Sequence, residues 1–225
     1  MDIPTVPVRI GGENILASHM VFSGASPAMT ENTVGFGVLM SSLSNVCTKD
    51  IPILAVDVDG IRKKDIIPEL LRKIRTKHEL WYMTGIRNAG DAMDAFHGDI
   101  NKLVIPYHLT SDTLLREIVE ISDSCIPALF VERGEPYVRG KKKSLRNCIK
   151  TLTNMNFRKI LIFDVSGDNA WDDLRDLVDT VIPYAPSIED ADALRKIGFG
   201  DVLVSAVKLY QRASERSEVR SCMTP

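Results

Sequence analysis

Eight short runs rich in β-branched and apolar residues recur along this chain, and most are followed by an amphipathic stretch. They are Thr5–Ile10, Ile51–Val56, Leu80–Met83, Lys102–Ile105, Ile126–Val131, Lys159–Phe163, Thr180–Ile182 and Asp201–Val204. Most are continuously apolar rather than alternating, as parallel strands covered on both faces require. The segments between them carry helical periodicity: Lys64–Thr76, Asn88–His97, Ser111–Ser122, Lys142–Asn156, Ala170–Asp179 and Ser187–Ile197. Ser111 reads as a helix N-cap, with Asp112 in the first turn where the helix dipole favours an anion. Ser187 with Asp190 three residues on reads as a capping box, Asp standing in for Glu. Strand–helix alternation of this kind within 225 residues predicts one α/β domain, a closed (β/α)8 barrel. Barrels of this type place their chemistry on the loops after the strands.

The chain also comes close to repeating itself. Asp57-Val58-Asp59-Gly60 ends one apolar run, and Asp164-Val165-Ser166-Gly167 ends another. Thr84 through Met93 lines up without gaps on Ala185 through Leu194. Two similar halves predict a two-fold half-barrel repeat, with Asp57 and Asp164 on one rim. The barrel is expected over residues 1–210 with no internal boundary, and 211–225 is expected to be a polar tail that frays. Residues 11–50 fit this plan less well. They are rich in Gly, Ser and Met, and only Val34–Leu43 has the pattern of an element, strand or helix.

Composition narrows the function classes. Apolar residues make up 44% and charged residues 26%, and the net charge is -2, which gives no electrostatic case for nucleic acid or an anionic membrane. No apolar stretch is long enough to span a bilayer and the N-terminus lacks a signal-peptide pattern, so a cytoplasmic protein is expected. Cys47, Cys125, Cys148 and Cys222 lack metal-ligand spacing and read as reduced thiols. No metal site is expected, because His19, His78, His97 and His108 form no ligand pair; His78 and His97 fall at helix ends and read as surface residues. Gly11-Gly12 alone is too common to count as a phosphate loop, and no cofactor is expected.

Several motifs, taken together, resemble the histidine-biosynthesis barrels. These are phosphoribosyl-formimino-carboxamide ribotide isomerase and the cyclase subunit of imidazole-glycerol-phosphate synthase. Leu54-Ala55-Val56-Asp57-Val58-Asp59-Gly60 is similar to that family's second-strand V-V-D-L-D-G, and Thr84-Gly85-Ile86-Arg87 to its third-strand G-G-I-R. Gly134 through Gly140 resembles the hairpin after strand five, and Asp164-Val165-Ser166 the sixth-strand D-I-S. Val204-Ser205-Ala206 with Leu209-Tyr210 resembles the last strand and its ending. The likeness covers Ile51 to Tyr210, with Val6-Pro7-Val8 a weaker match, and is closest to a divergent, archaeal-type branch. It implies a TIM barrel of the ribulose-phosphate-binding kind, an isomerase-type activity, and a small phosphorylated sugar or ribotide as partner. A homo-oligomer is compatible with the sequence, which does not fix the oligomeric state.

The departures from the family matter as much. An Amadori rearrangement needs one group to protonate the ring oxygen and another to take the C2 proton. The family's aspartates in strands one and five correspond here to Arg9 or Ile10 and to Phe130, and its strand-six threonine to Phe163. Phenylalanine cannot move a proton, so an acid–base pair has to come from Asp57, Asp164, His108 or Glu132. Glu132 follows Phe130 by two residues and faces the same side of a strand, either as a displaced carboxylate or as an exposed loop residue. Asp57, Asp59 and Asp164 can act on protons, hold a cation, or hydrogen-bond loop amides.

The family holds phosphates on backbone N–H groups of Gly-rich turns. Here Pro106 and Pro186 remove such groups, leaving Thr84, Gly85 and Arg87 for one anion, with Ser205 and Ala206 as small residues at the other turn and Arg9 as a further anion contact. Arg139 with Lys141-Lys142-Lys143 is the one basic cluster, either an anion attractor or a solvated helix start. Two classes therefore remain: an isomerase-like enzyme on a phosphorylated ligand, or a repurposed barrel binding another small molecule or a protein. Phe130 and Phe163 filling the barrel mouth would favour the second.

Overall fold

The computed structural model describes residues 1–44, 47–48, 50–140, 142–168 and 171–212. Its barrel strands are β1 (Asp2–Gly11), β2 (Ile53–Asp57), β3 (Leu80–Met83), β4 (Lys102–Pro106), β5 (Cys125–Glu132), β6 (Ile160–Asp164), β7 (Val181–Ala185) and β8 (Val202–Ser205). All pair in parallel in chain order, and β8 returns to β1 through Ile3↔Leu203 and Thr5↔Ser205, closing the ring. The eight strands predicted from sequence are the eight barrel strands, and the α/β (β/α)8 class is what the chain adopts.

Helices α1 (Phe36–Leu43), α2 (Val58–Lys63), α3 (Pro68–Lys73), α4 (Ala89–Phe96), α5 (Asp112–Ile121), α6 (Leu145–Thr153) and α7 (Ile188–Ile197) cover the ring. Short polar caps start most of them. Side chains of Asn88, Ser111, Ser144 and Ser187 each accept an N–H from the first turn of the helix that follows. Ser187 also donates to Asp190 at 2.6 Å, as its spacing predicts. Each such cap contributes about 1 kcal/mol to its helix.

Two elements differ from the sequence reading. The expected helix Lys64–Thr76 shrinks to α3 within that span, with α2 lying entirely before it. Lys64 ends α2 in the left-handed region (φ 56), and Pro68 opens α3, which holds Ile67 extended and forbids a continuous helix. The segment expected as a helix over Ala170–Asp179 is a 3-10 turn over Trp171–Leu177. Val34–Leu43, which the pattern left open, is both: a two-residue strand, Val34–Gly35, running into α1. Most of the tail, with Cys222, lies outside the described residues.

Two separate apolar clusters show which way each strand faces. One takes alternate residues of all eight strands: Ile3, Leu54, Val56, Trp81, Met83, Val104, Ile126, Ala128, Phe130, Leu161, Phe163, Ile182, Tyr184 and Leu203. This is the barrel interior. The other takes the opposite parity (Ala55, Tyr82, Leu103, Leu129, Ile162) together with the inner faces of the helices. Because both faces of each strand are buried, the sequence shows continuous apolar runs with no visible alternation.

Of residues 11–44, the hairpin Met20–Met29 caps the barrel, while α1 packs in the outer cluster. β1 continues past the ring to pair antiparallel with Asn14–Ala17. A separate hairpin follows, Met20–Ser23 with Ser26–Met29, whose tight turn uses Gly24 at φ 57. Met20, Phe22, Ala25 and Met29 of this hairpin pack onto the interior cluster.

Candidate functional site

The rim at the C-terminal ends of the strands is where barrel chemistry is expected. Here its axis is filled with aromatic rings. Phe130 of β5 and Phe163 of β6 sit side by side in register and stack at 5.1 Å between centroids, 14° apart. Tyr184 of β7 continues the row at 5.3 Å from Phe163. Phe22 of the capping hairpin drops onto all three at 6.0–6.1 Å. His108 meets the edge of Phe130 at 5.1 Å. Burial holds its imidazole at a pKa of about 4, helped by the nearby Lys64 cation, so the ring is neutral at physiological pH. Its Nδ1 is buried and has no hydrogen-bond partner among the described residues.

Asp57 and Asp164 lie on the same rim, at the ends of β2 and β6. Strand parity places Asp57 with Ala55, on the outer surface of the sheet. It is fully buried there. Oδ1 accepts the Gly60 N–H at 2.8 Å, capping α2, while Oδ2 accepts the Tyr82 hydroxyl at 2.7 Å and the Thr84 hydroxyl at 3.2 Å. Burial raises its pKa, and those three donors pull it back down. This is a carboxylate whose lone pairs are committed to holding a loop. The same node explains two glycines: a side chain at Gly60 would meet Asp57 Oδ2 and Thr84 Oγ1, both at 2.3 Å from its Cβ. At Gly85 it would meet the Lys64 Cα at 2.5 Å and the Gly60 carbonyl at 2.6 Å. Gly85 is thus required by the close approach of the loop after α2.

Asp164 is half-buried and accepts the backbone N–H of Ser166 at 3.2 Å and its hydroxyl at 3.0 Å. Ser166 Oγ in turn accepts the N–H of Arg133 at 2.9 Å, joining the β6 loop to the hairpin after β5. That hairpin turns on Arg133 and Gly134, both at positive φ. Glu132 precedes it, exposed, and accepts the Tyr137 hydroxyl at 2.7 Å.

The remaining predicted positions are spread around the rim. Thr84 is buried in the Asp57 node, its hydroxyl also 3.3 Å from the Asp65 carbonyl as an alternative acceptor. Arg87 is exposed but held by two carboxylates, Asp65 at 2.8 Å and Asp91 at 3.1 Å. Ser205 is buried, with its hydroxyl 3.4 Å from His19 Nδ1. Ala206 is fully buried in the outer core. Arg9 is exposed on the extension of β1, opposite Leu16. The structure therefore joins Asp57 to Thr84, and no hydrogen bond or ion pair links Asp57, His108 and Glu132 with one another among the described residues. His78, read from sequence as a surface residue, is instead 7% exposed, its Nδ1 bonded to the Ile51 carbonyl at 3.0 Å. It lies in the loop before β3 rather than at a helix end.

One cleft on this rim carries cationic side chains. It has a volume of 410 Å³ and lies between the loops after β3 and β4, lined by Lys64, Arg87, Arg139, Thr110, Ser111 and Thr113 among others, with Glu117 at its edge. A smaller cavity of 170 Å³ adjoins it and shares Arg139. Arg139 and Lys64 make no ion pair among the described residues, whereas Lys143 is tied to Asp112 at 3.5 Å. The N-terminus of α5, with Ser111 at its cap, opens into the cleft. Sequence reading did single out Arg139, from its charge cluster. Lys64, Thr110 and Phe22 carried no signal, because their role comes from loops that meet only in the fold.

Among the described residues no group of three or more His, Cys, Asp or Glu is placed to hold a metal ion. Cys47, Cys125 and Cys148 are unpaired, and no helix among the described residues is long and apolar enough to cross a membrane. No family model matches this chain, and no curated protein matches it.

Proposed function

We propose that this chain is a repurposed relative of the histidine-biosynthesis barrels, one that binds a small phosphorylated metabolite in the off-axis rim cleft and lacks the central acid–base pair of the ribotide isomerase. The supporting observation is Arg139, an exposed guanidinium without a carboxylate partner among the described residues, shared by two adjoining cavities at the N-terminus of a ten-residue helix. Lys64 and Arg87 face the same space, and the helix end favours an anion there. Against an Amadori reaction on the barrel axis stand the stacked Phe130 and Phe163, which occupy the expected proton-transfer positions. In this reading Asp57 and Asp164 are architectural, descended from matching halves: each ends a strand, β2 or β6, four apart in the ring, and each hydrogen-bonds the loop that follows. That correspondence favours the half-barrel repeat. Residues 1–210 act as one domain in a cytoplasmic protein.

Thermal shift tests this directly, since a ligand that binds only the native state raises the midpoint by mass action. Inorganic phosphate and ribose 5-phosphate are expected to stabilise the protein, and Arg139→Ala to remove most of that effect. A parallel assay of aminoaldose-to-ketose conversion on a ribotide is expected to show no turnover. Turnover that survives Arg139→Ala but not His108→Gln or Glu132→Gln would replace this proposal with the isomerase.

A further inference from the structure

A larger cavity than the rim cleft opens at the other end. It measures 780 Å³ and sits on the N-terminal face of the barrel. Its floor is apolar: Trp81, Ile126 and Ile182 are the lowest interior residues of β3, β5 and β7, and Phe157 and Val119 stand beside them. The Trp81 indole N–H is already satisfied by Glu79 at 2.8 Å, so the ring presents its hydrocarbon surface to the space. Ligand sites in proteins typically enclose about 300–1,000 Å³ with apolar walls and a few placed polar groups. This cavity has that size and that division of surface, whereas the aromatic stack closes the opposite mouth.

The rim of the cavity carries an uncompensated charge. Lys159 is spoken for by Asp201 at 3.6 Å. Lys102 and Arg158 line the cavity and make no ion pair among the described residues, and Asp123 is the only unpaired carboxylate facing them. The N-terminal ammonium of Met1 also lies 3.6 Å from Asp201, so the lining cations outnumber the lining carboxylates by two over an apolar floor. Lys102 is the cross-strand neighbour of Trp81, so cation and ring are adjacent. Lys102 and Asp123 also both reach the Cys125 thiol electrostatically, which places them around one point of the wall.

The geometry points to a second binding site here, for a small amphipathic anion: a ring or short apolar body that covers Trp81, Ile126 and Ile182, with a carboxylate, sulfonate or similar group held by Lys102 and Arg158. The site is independent of the rim cleft and lies at the opposite pole of the barrel.

Calorimetric titration of the full chain with naphthalene-1-sulfonate tests it, against neutral 1-naphthalenemethanol and cationic 1-naphthylmethylammonium as probes of the same ring. One-to-one binding is expected, tightest for the sulfonate. In the chain carrying Trp171→Phe, the remaining Trp81 emission should change with the same saturation curve. Lys102→Met with Arg158→Gln, which keep most of each stem, should weaken sulfonate binding by roughly tenfold while leaving the neutral probe within a factor of about two, because two partly exposed ion contacts are lost and the apolar floor is not. Arg139→Ala should leave all three probes unchanged. Absence of binding, equal affinity for the three charges, or an unchanged sulfonate affinity in the double variant would overturn the inference. So would weakening by Arg139→Ala, which would put the probe in the rim cleft. Failure of phosphate to bind at the rim leaves this inference standing, so the two proposals fail separately.

Discussion

Replacing Tyr82 by Phe removes a single oxygen from a fully buried node and leaves the ring in place. That oxygen donates to Asp57 Oδ2 at 2.7 Å, and Thr84, at 3.2 Å, is the only other side-chain donor to the same atom among the described residues. A hydrogen bond to an ionised group contributes about 1.5–3 kcal/mol. With Thr84 still present, a loss of about 2 kcal/mol is expected at neutral pH, or about 4–8 °C in the thermal midpoint of a chain this size. The pH dependence follows from the carboxyl. Burial raises the Asp57 pKa, and Tyr82 is the first of the groups that lower it. A folded-state pKa above the unfolded one means that this group's stabilisation is complete below the unfolded pKa and is lost as pH rises through the folded pKa. Removing the hydroxyl lifts the folded value further and extends that loss. Tyr82→Phe should therefore destabilise more at about pH 7 than at about pH 3, below the ordinary carboxyl pKa, where Asp57 is protonated and loses only a neutral hydrogen bond. Differential scanning fluorimetry at both pH values reads it out. A midpoint shift equal at the two pH values, or below about 1 °C at both, would refute the assignment of Asp57 as a buried, ionised anchor for the loop.

Further substitutions probe the rest of the rim. Gly85→Ala would push a Cβ to 2.5 Å from the Lys64 Cα and should cost about 3 kcal/mol, seen as a lower denaturant midpoint, because the obstacle is backbone and cannot rotate away. Phe130→Ala should cost about 3–5 kcal/mol by opening a cavity inside the barrel, and Phe22→Ala less, about 1–3 kcal/mol, because that ring is only half-buried on a surface hairpin. Equal costs would mean that the hairpin is as integral as the barrel. The His108 ring should titrate near pH 4 by NMR, well below an ordinary histidine. Its depressed folded pKa gives stability that is present above the unfolded value and lost as pH falls through the folded one, so His108→Gln should flatten the acid limb of the stability curve between those limits.

Helix starts were legible residue by residue. Ser111 and Ser187 cap α5 and α7 as their spacing predicts, because a cap is a local contact between a hydroxyl and an N–H three residues on. The break at Lys64 and Pro68 was readable too, in the proline itself, though the apolar period through Lys64–Thr76 masked it. His78 was not: its burial depends on the Ile51 carbonyl, 27 residues away in the chain.

Sequence alone determined the number, order and parallel sense of the barrel strands, since long apolar runs separated by capped helices admit few other closed arrangements. It could not determine which face each residue takes. Where a strand is covered on both sides, hydrophobicity carries no period, and a shift of one residue exchanges inside for outside without altering the pattern. Only the tertiary structure turned Asp57 out toward the helices, turned Phe130 and Phe163 in toward the axis, laid Phe22 across them, and left a 780 Å³ space at the floor beside Trp81. Each of those outcomes is a meeting of residues far apart in the chain, fixed by ring closure rather than by any local preference.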